Sequence, residues 1–170
     1  EVRDIVAYLK TLVSPQDETS LLRIINTPPR GIGQKAVEWL MQQAVSQGQP
    51  MWTIMHACAG LPEPAKSAVQ RFVALVERLQ TRVQHRPLLA AVRDLISEIR
   101  YEAELQRLYS DPSEFQSRWD AVQEVVNALG AYEAKAKKPT LSGFLDEIVL
   151  GDRDMDNDKE KQLQRNAVVL

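Results

Sequence analysis

The sequence predicts an all-α, multi-helix fold on three observations. Apolar residues recur at steps of three and four through most of the chain. Residues that start and stop helices fall between those stretches. No stretch alternates with a period of two before the last few residues. The chain has 170 residues, of which 44% are hydrophobic and 26% charged, enough to bury a sizeable core without a disulfide or a metal. A single cysteine, Cys58, permits no internal disulfide and suits a reducing compartment. No apolar run approaches the ~20 residues of a membrane span, and the opening Glu1-Val2-Arg3-Asp4 is not a signal peptide. The expected location is the cytoplasm, with no membrane partner.

In chain order, Val2, Ile5, Val6, Leu9, Leu12 and Val13 line one face of a first helix. Ser14 and Asp17, three apart, predict an N-cap and capping-box pair for a second, which carries Leu21, Leu22, Ile24 and Ile25. The stretch Thr27-Pro28-Pro29-Arg30-Gly31-Ile32-Gly33 breaks it, because prolines remove donors and glycines permit positive φ. A third helix is expected from Gln34 to about Ser46, with Val37, Leu40, Met41 and Ala44 inward. Pro50 opens a short apolar helix that Gly60 ends. Pro62 to Arg86 reads as one long helix with a seam of Ala65, Ala68, Val69, Phe72, Val73, Leu75, Val76 and Leu79. Pro87 stops it and opens the next, which carries Leu88, Leu89, Val92, Leu95, Ile96 and Ile99.

Asp111-Pro112-Ser113-Glu114 is a strong helix start, with Asp at the N-cap, Pro at the first helical position and Glu at the third. That helix runs to roughly Lys137, and Thr140 to Leu150 makes the last. The expected organisation is a helical domain over 1–150, an acidic linker over 151–163 and a short extended segment over 164–170. Asn166-Ala167-Val168-Val169-Leu170 is a β-prone run with no partner strand in the sequence, so it is expected to pair outside it. An opening inside an uncapped amphipathic helix also fits a segment of a larger protein.

Net charge is −2, which excludes a generally basic nucleic-acid binder. Residues 1–60 sum to zero, residues 61–110 to +2 and residues 111–170 to −4. Any DNA contact must therefore be made by a few placed groups.

The stretch best suited to such contacts is Thr27 to Lys35. Helix, tight Gly-x-Gly turn, helix is the layout of a helix-hairpin-helix binder of the DNA backbone. Gly31 and Gly33 bring amides to the surface at a helix N-terminus, where the macrodipole favours an anion. Ile32 anchors the turn inward, and Arg30 and Lys35 bracket it with positive charge. Thr27, Arg30, Gly31, Ile32, Gly33, Gln34 and Lys35 are the candidate DNA-contacting residues. As a plain helix connector the same Gly-x-Gly would need no ligand. It is not a dinucleotide fingerprint, since no strand precedes it and no third glycine follows at the right spacing.

These residues carry a resemblance. Glu1-Val2-Arg3-Asp4-Ile5-Val6-Ala7-Tyr8-Leu9-Lys10, the turn Ser14-Pro15-Gln16-Asp17 and the run Leu22-Arg23-Ile24-Ile25-Asn26-Thr27-Pro28-Pro29-Arg30-Gly31-Ile32-Gly33 resemble the superfamily 1 helicases of the UvrD/Rep/PcrA type. Arg118-Trp119-Asp120-Ala121-Val122-Gln123-Glu124-Val125 is similar to a later helix of that family, with Ala121 where Asn is usual, and Ala167 to Leu170 to the strand that leads into an ATPase motif. The resemblance implies the helical 2B subdomain, a duplex-contacting and regulatory lobe. Its partners would be double-stranded DNA at a fork or junction, the remaining motor domains, and replication or repair proteins. With no phosphate loop in the chain, no cofactor is expected in the fragment, which would not be an enzyme by itself. ATP and Mg²⁺ would belong to the parent. The alternative is a helical protein-docking module that touches no DNA. A helix-hairpin-helix nuclease fragment would need clustered acidic residues around a metal, which the sequence lacks.

Other candidates read as structure. His56, Cys58 and His85 are too few for a metal site. Asp152, Asp154, Asp156 and Asp158 alternate like a calcium loop but lack its turn glycine and its terminal glutamate. Trp39, Trp52 and Trp119 fall on apolar faces as core residues. Lys135, Lys137 and Lys138 form a basic cluster before Pro139, by default a solvated helix end, with a weak phosphate contact as the runner-up. Lys66, Arg71, Arg78, Arg82 and Arg86 would either add backbone contacts or balance Glu63 and Glu77.

Overall fold

The computed structural model describes residues 1–149, so the expected linker over 151–163, its aspartates and the extended segment over 164–170 lie outside the described residues. The described residues are all-helical, as expected. The helices are α1 (Val2–Val13), α2 (Glu18–Ile24), α3 (Gln34–Gln47), α4 (Met51–Ala57), α5 (Glu63–His85), α6 (Leu88–Glu98), α7 (Tyr101–Leu108), α8 (Pro112–Lys135) and α9 (141–149).

One continuous core runs through them. Its largest fully buried side chains include Tyr8, Phe72, Tyr101 and Phe144. The α5 seam supplies Ala68, Val69, Phe72, Val73, Val76 and Leu79, all buried, and α5 packs against α1, α4 and α6. That contact pattern makes it the spine on which the segment between α2 and α3 is laid.

Several boundaries differ from the sequence expectation, each for a local reason. The second helix starts at Asp17, not Ser14. The Asp17 carboxylate accepts from the Ser20 amide at 3.2 Å and from the Ser20 hydroxyl at 2.6 Å, while Ser14 closes α1 in extended conformation. The Ser20 hydroxyl bond, ahead of a smaller opposing effect of burial, holds the Asp17 carboxyl below its ordinary value. Residues 99–110 hold an unforeseen helix, α7, because Arg100 turns left-handed (φ 53, ψ 44) and breaks the period between α6 and α7. Met41, expected inward, is 44% exposed. Gly60 does not end α4, which stops at Ala57; a Cβ there would lie 2.5 Å from the Trp39 ring, so Gly60 is the clearance that lets Trp39 pack. The start at Asp111 is as expected, its carboxylate accepting from the Ser113 and Glu114 amides at 2.9 Å.

A depressed carboxyl stabilises the fold above its unfolded pKa, and the contribution is lost as pH falls through the lower folded value. Asp17→Ala should therefore cost about 1 kcal/mol near neutral pH and leave a shallower loss of stability below pH ~4, measured by urea unfolding across pH. An unchanged acid limb would refute the capping role. Thr11 is fully buried and its hydroxyl has no hydrogen-bond partner among the described residues. Thr11→Val should accordingly raise stability, by about 1 kcal/mol, in the same assay.

Candidate nucleic-acid interface

Two apolar helices meet at the segment between α2 and α3, and its conformation is set by two polar side chains. The first is Asn26. Its Oδ1 accepts from the Arg30 amide at 2.8 Å and from the Ile32 amide at 3.2 Å, folding the chain back on itself across Pro28 and Pro29. The Thr27–Pro28 peptide is cis. The second is Arg30, which the structure turns inward. Its Nη1 donates to the carbonyls of Ile24 (2.6 Å) and Ile25 (3.2 Å), the open C-terminal end of α2. Its Nη2 donates to the Tyr8 hydroxyl at 2.5 Å, and that hydroxyl donates to the Thr27 carbonyl at 2.5 Å. The guanidinium carbon lies 4.9 Å from the Phe72 ring centre and 5.9 Å from that of Tyr8. Burial pushes the Tyr8 phenol above its ordinary value, against the opposing pull of Arg30.

This placement departs from the expected role of Arg30 beside a phosphate. Its Nη donors go to α2, the loop and α1, so it holds the turn. Thr27 likewise contributes its backbone carbonyl to that scaffold. Ile32 is 1% exposed, the inward anchor that the sequence predicts. Gly31 takes φ +85 and faces Ala68 of α5, with a virtual Cβ at 3.8 Å from the Ala68 Cβ. Gly33 is the N-cap of α3 at φ −75, ψ 170, with nothing within 4 Å of a virtual Cβ.

What remains at the surface is backbone. Among the described residues, the amides of Gly31, Gly33, Gln34 and Lys35 donate to no protein acceptor. Those of Gly33, Gln34 and Lys35 sit at the positive end of a 14-residue helix whose first turn carries no acidic residue. Gly31, Gly33, Gln34 and Lys35 are all exposed. The Gln34 side chain bonds Glu38 at 2.8 Å, and the Lys35 ammonium has no ion-pair partner among the described residues. The arrangement can hold an anion by amide donation, with Lys35 adding charge.

Asn26 is the residue that sequence reasoning missed. Its signal was available, since Asn ahead of a proline pair is a turn former.

The other candidates sort cleanly. Arg78 and Arg82 pair with Glu98, and Arg86 with Asp94 at 2.7 Å, so α5 spends these charges on α6 and not on Glu63 or Glu77. Burial alone would raise the Glu98 carboxyl, yet Arg78 and Arg82 hold it below its ordinary value. Lys66 and Arg71 form no ion pair among the described residues. His56 pairs with Glu77 at 2.9 Å, and Cys58 is buried, which pushes its thiol up. No group of three His, Cys, Asp or Glu among the described residues could hold a metal ion. The three tryptophans are half-buried against the core. No described helix is long and apolar enough to cross a membrane.

Residues 1–170 match the model of the UvrD-like helicase C-terminal domain. The chain is 27% identical over 174 residues to ATP-dependent DNA helicase PcrA of Bacillus subtilis, an alignment covering 100% of this chain and 23% of that protein. It is 32% identical over 128 residues to ATP-dependent DNA helicase Rep of Escherichia coli, covering 74% and 19%. It is 32% identical over 154 residues to ATP-dependent DNA helicase UvrD1 of Mycobacterium tuberculosis, covering 88% and 20%. The chain spans about a fifth of the length of these relatives.

The inward Arg30 makes a stability prediction. Arg30→Ala leaves the Ile25 carbonyl without its donor and removes the guanidinium from the Ile24 carbonyl and the Tyr8 hydroxyl, and should cost about 2–3 kcal/mol in urea unfolding. Arg30→Lys should not restore it, because an ammonium cannot span both acceptors as the planar fork does. Lys35→Ala should stay within about 0.5 kcal/mol of the parent. Equal stability of the Arg30 and Lys35 variants would contradict the scaffold role.

Proposed function

We propose, from the premise that this chain belongs to the UvrD-like helicase C-terminal domain family, that its described helices form the 2B-type lobe of a UvrD/Rep/PcrA-type ATP-dependent DNA helicase. In this reading the lobe rests on double-stranded DNA at a fork or junction and positions the motor relative to it. The observation that carries it is the row of unpartnered amides at Gly31, Gly33, Gln34 and Lys35. Two glycines keep that row accessible, and Asn26, Arg30 and Ile32 hold it rigid. Amide and lysine contacts of this kind grip phosphates and read no bases, so the lobe is expected to fix register without sequence preference. The fragment itself is read as non-catalytic. ATP binding with Mg²⁺ and hydrolysis belong to motor domains elsewhere in the parent, and the lobe's rotation against them tunes unwinding. Replication or repair proteins are further partners in this reading, and the expected setting is the cytoplasm.

A second reading, a helical docking module for a protein partner, is favoured by Met41 (44% exposed) and Val45 (84% exposed), four apart on α3. The two readings separate on one substitution. Gly33→Asp places a carboxylate at an N-cap whose backbone is already extended and whose surroundings are open. It should stabilise α3 by a few tenths of a kcal/mol while opposing phosphate at the same amides. Duplex DNA binding, followed by anisotropy of a labelled duplex, should start near ~10⁻⁴–10⁻⁶ M and weaken at least about tenfold in Gly33→Asp, with the melting temperature unchanged or higher. Duplex binding equal to the parent's would remove the hairpin from the interface.

A further inference from the structure

A second concave site lies on helices that contribute nothing to the hairpin. Between α6, α7 and α8 is a cavity of about 420 Å³ with an apolar floor that includes Ile96 and Val126. Trp119 of α8 forms one wall. It is half-buried against the core and stacks on no other ring among the described residues. Arg93 and Arg100 stand at the rim, both exposed, and neither side chain has an ion-pair or hydrogen-bond partner among the described residues. Arginines of the neighbouring helices are treated differently: Arg78, Arg82, Arg107 and Arg118 are all paired with carboxylates.

Arg100 carries a further mark. It holds φ 53, a conformation that glycine adopts freely and a side chain with a Cβ resists. A glycine there would make the same α6–α7 corner without that resistance. The arginine side chain is thus present despite the local backbone preference, and the cavity is where it points its charge.

We infer that this cavity takes one unpaired nucleotide, its base against Trp119 and its phosphate between Arg93 and Arg100. A volume of this order fits a ligand of nucleotide size. An aromatic wall with flanking cations is the means by which proteins hold unpaired bases without reading sequence. Ser97, Gln123 and the Glu102 carboxylate, which also line the cavity, supply donors and acceptors for a base edge. The nucleotide can be free or part of a single strand, since both present the same base and phosphate.

The test uses the 170-residue chain in the Gly33→Asp background, so that the hairpin does not contribute. A short oligothymidylate and thymidine monophosphate are titrated separately, following tryptophan fluorescence and, for the labelled oligonucleotide, anisotropy. Saturable quenching is expected, lost in Trp119→Phe and weakened about tenfold or more in Arg93→Ala and in Arg100→Gly. Arg100→Gly should melt at or above the temperature of its parent, because it relieves the left-handed residue, so its loss of binding cannot be ascribed to unfolding. Tighter binding of the oligonucleotide assigns the site to a strand, and equal binding assigns it to a free nucleotide. Quenching by neither probe, or quenching that survives Arg100→Gly, overturns the inference. So does saturation by a glutamate-rich peptide with no response to either nucleotide probe, which would give the site to a protein partner. Because α6, α7 and α8 hold no hairpin residue, failure here leaves the duplex reading untouched.

Discussion

A single guanidinium holds the interface segment in place. Arg30 closes the carbonyl end of α2, bonds the phenol of α1 and lies over the Phe72 ring of α5. Helix-end carbonyls need donors, and the Ile25 carbonyl has only Arg30 among the described residues, while the buried Tyr8 hydroxyl donates to Thr27 and accepts from Arg30. With Arg30 in place the loop has one way to run. Asn26 then ties the Arg30 and Ile32 amides, Ile32 goes into the core, and Gly33 emerges as the N-cap of α3. Exposure of the remaining amides follows from that closure. The groups that hold the turn and the groups that face outward alternate along Asn26 to Lys35, so the scaffold and the surface are one short sequence.

For the proposed duplex contact, the electrostatics of the body make such a device necessary. A net charge of −2 gives no broad positive field, and at the C-terminal end of α5 Arg78, Arg82 and the following Arg86 are paired with Glu98 and Asp94 on α6. Attraction for a phosphate must then come from oriented backbone, whose partial charge at a helix start acts only within about one turn. Contacts of that range locate a duplex once it is near but do little to draw it in. That property suits a lobe whose parent contributes the remaining affinity.

The helical pattern was legible because α1, α5 and α8 each carry a regular apolar stripe and because Asp111-Pro112 is an unambiguous start. The turn was legible from its prolines and glycines. The direction of Arg30 was not. A residue next to a Gly-x-Gly turn looks like a phosphate ligand until its acceptors are known, and those include a tyrosine 22 positions away and an aromatic ring on α5. Sequence spacing shows which face a residue occupies and cannot show which long-range partner claims its end group. The α6–α7 break was hidden for a related reason. Arg100 is no helix breaker by type, and its left-handed turn is imposed by packing on both sides: Ile99 and Tyr101 are both buried. The Asp17 start was displaced from Ser14 because both residues cap well, and the choice fell to the one with Ser20 in reach.

Gly33 and Arg100 share a property that bears on how such a lobe is built. Each begins a helix with a residue that local preference ranks below the alternatives. Aspartate or serine would cap α3 better than Gly33, and glycine or asparagine would sit more easily than arginine at the start of α7. Elsewhere the chain does use the preferred residues, as at Asp17 and Asp111, so the local rules are in force. Gly33 and Arg100 depart from them, and at each the stability forgone leaves backbone amides or an unpaired charge facing solvent. At Gly33 an acidic cap would have filled the amides that an anion needs. At Arg100 a glycine would have removed a charge from the mouth of an aromatic cavity. Among the described residues, both departures leave donors without a protein acceptor beside open space.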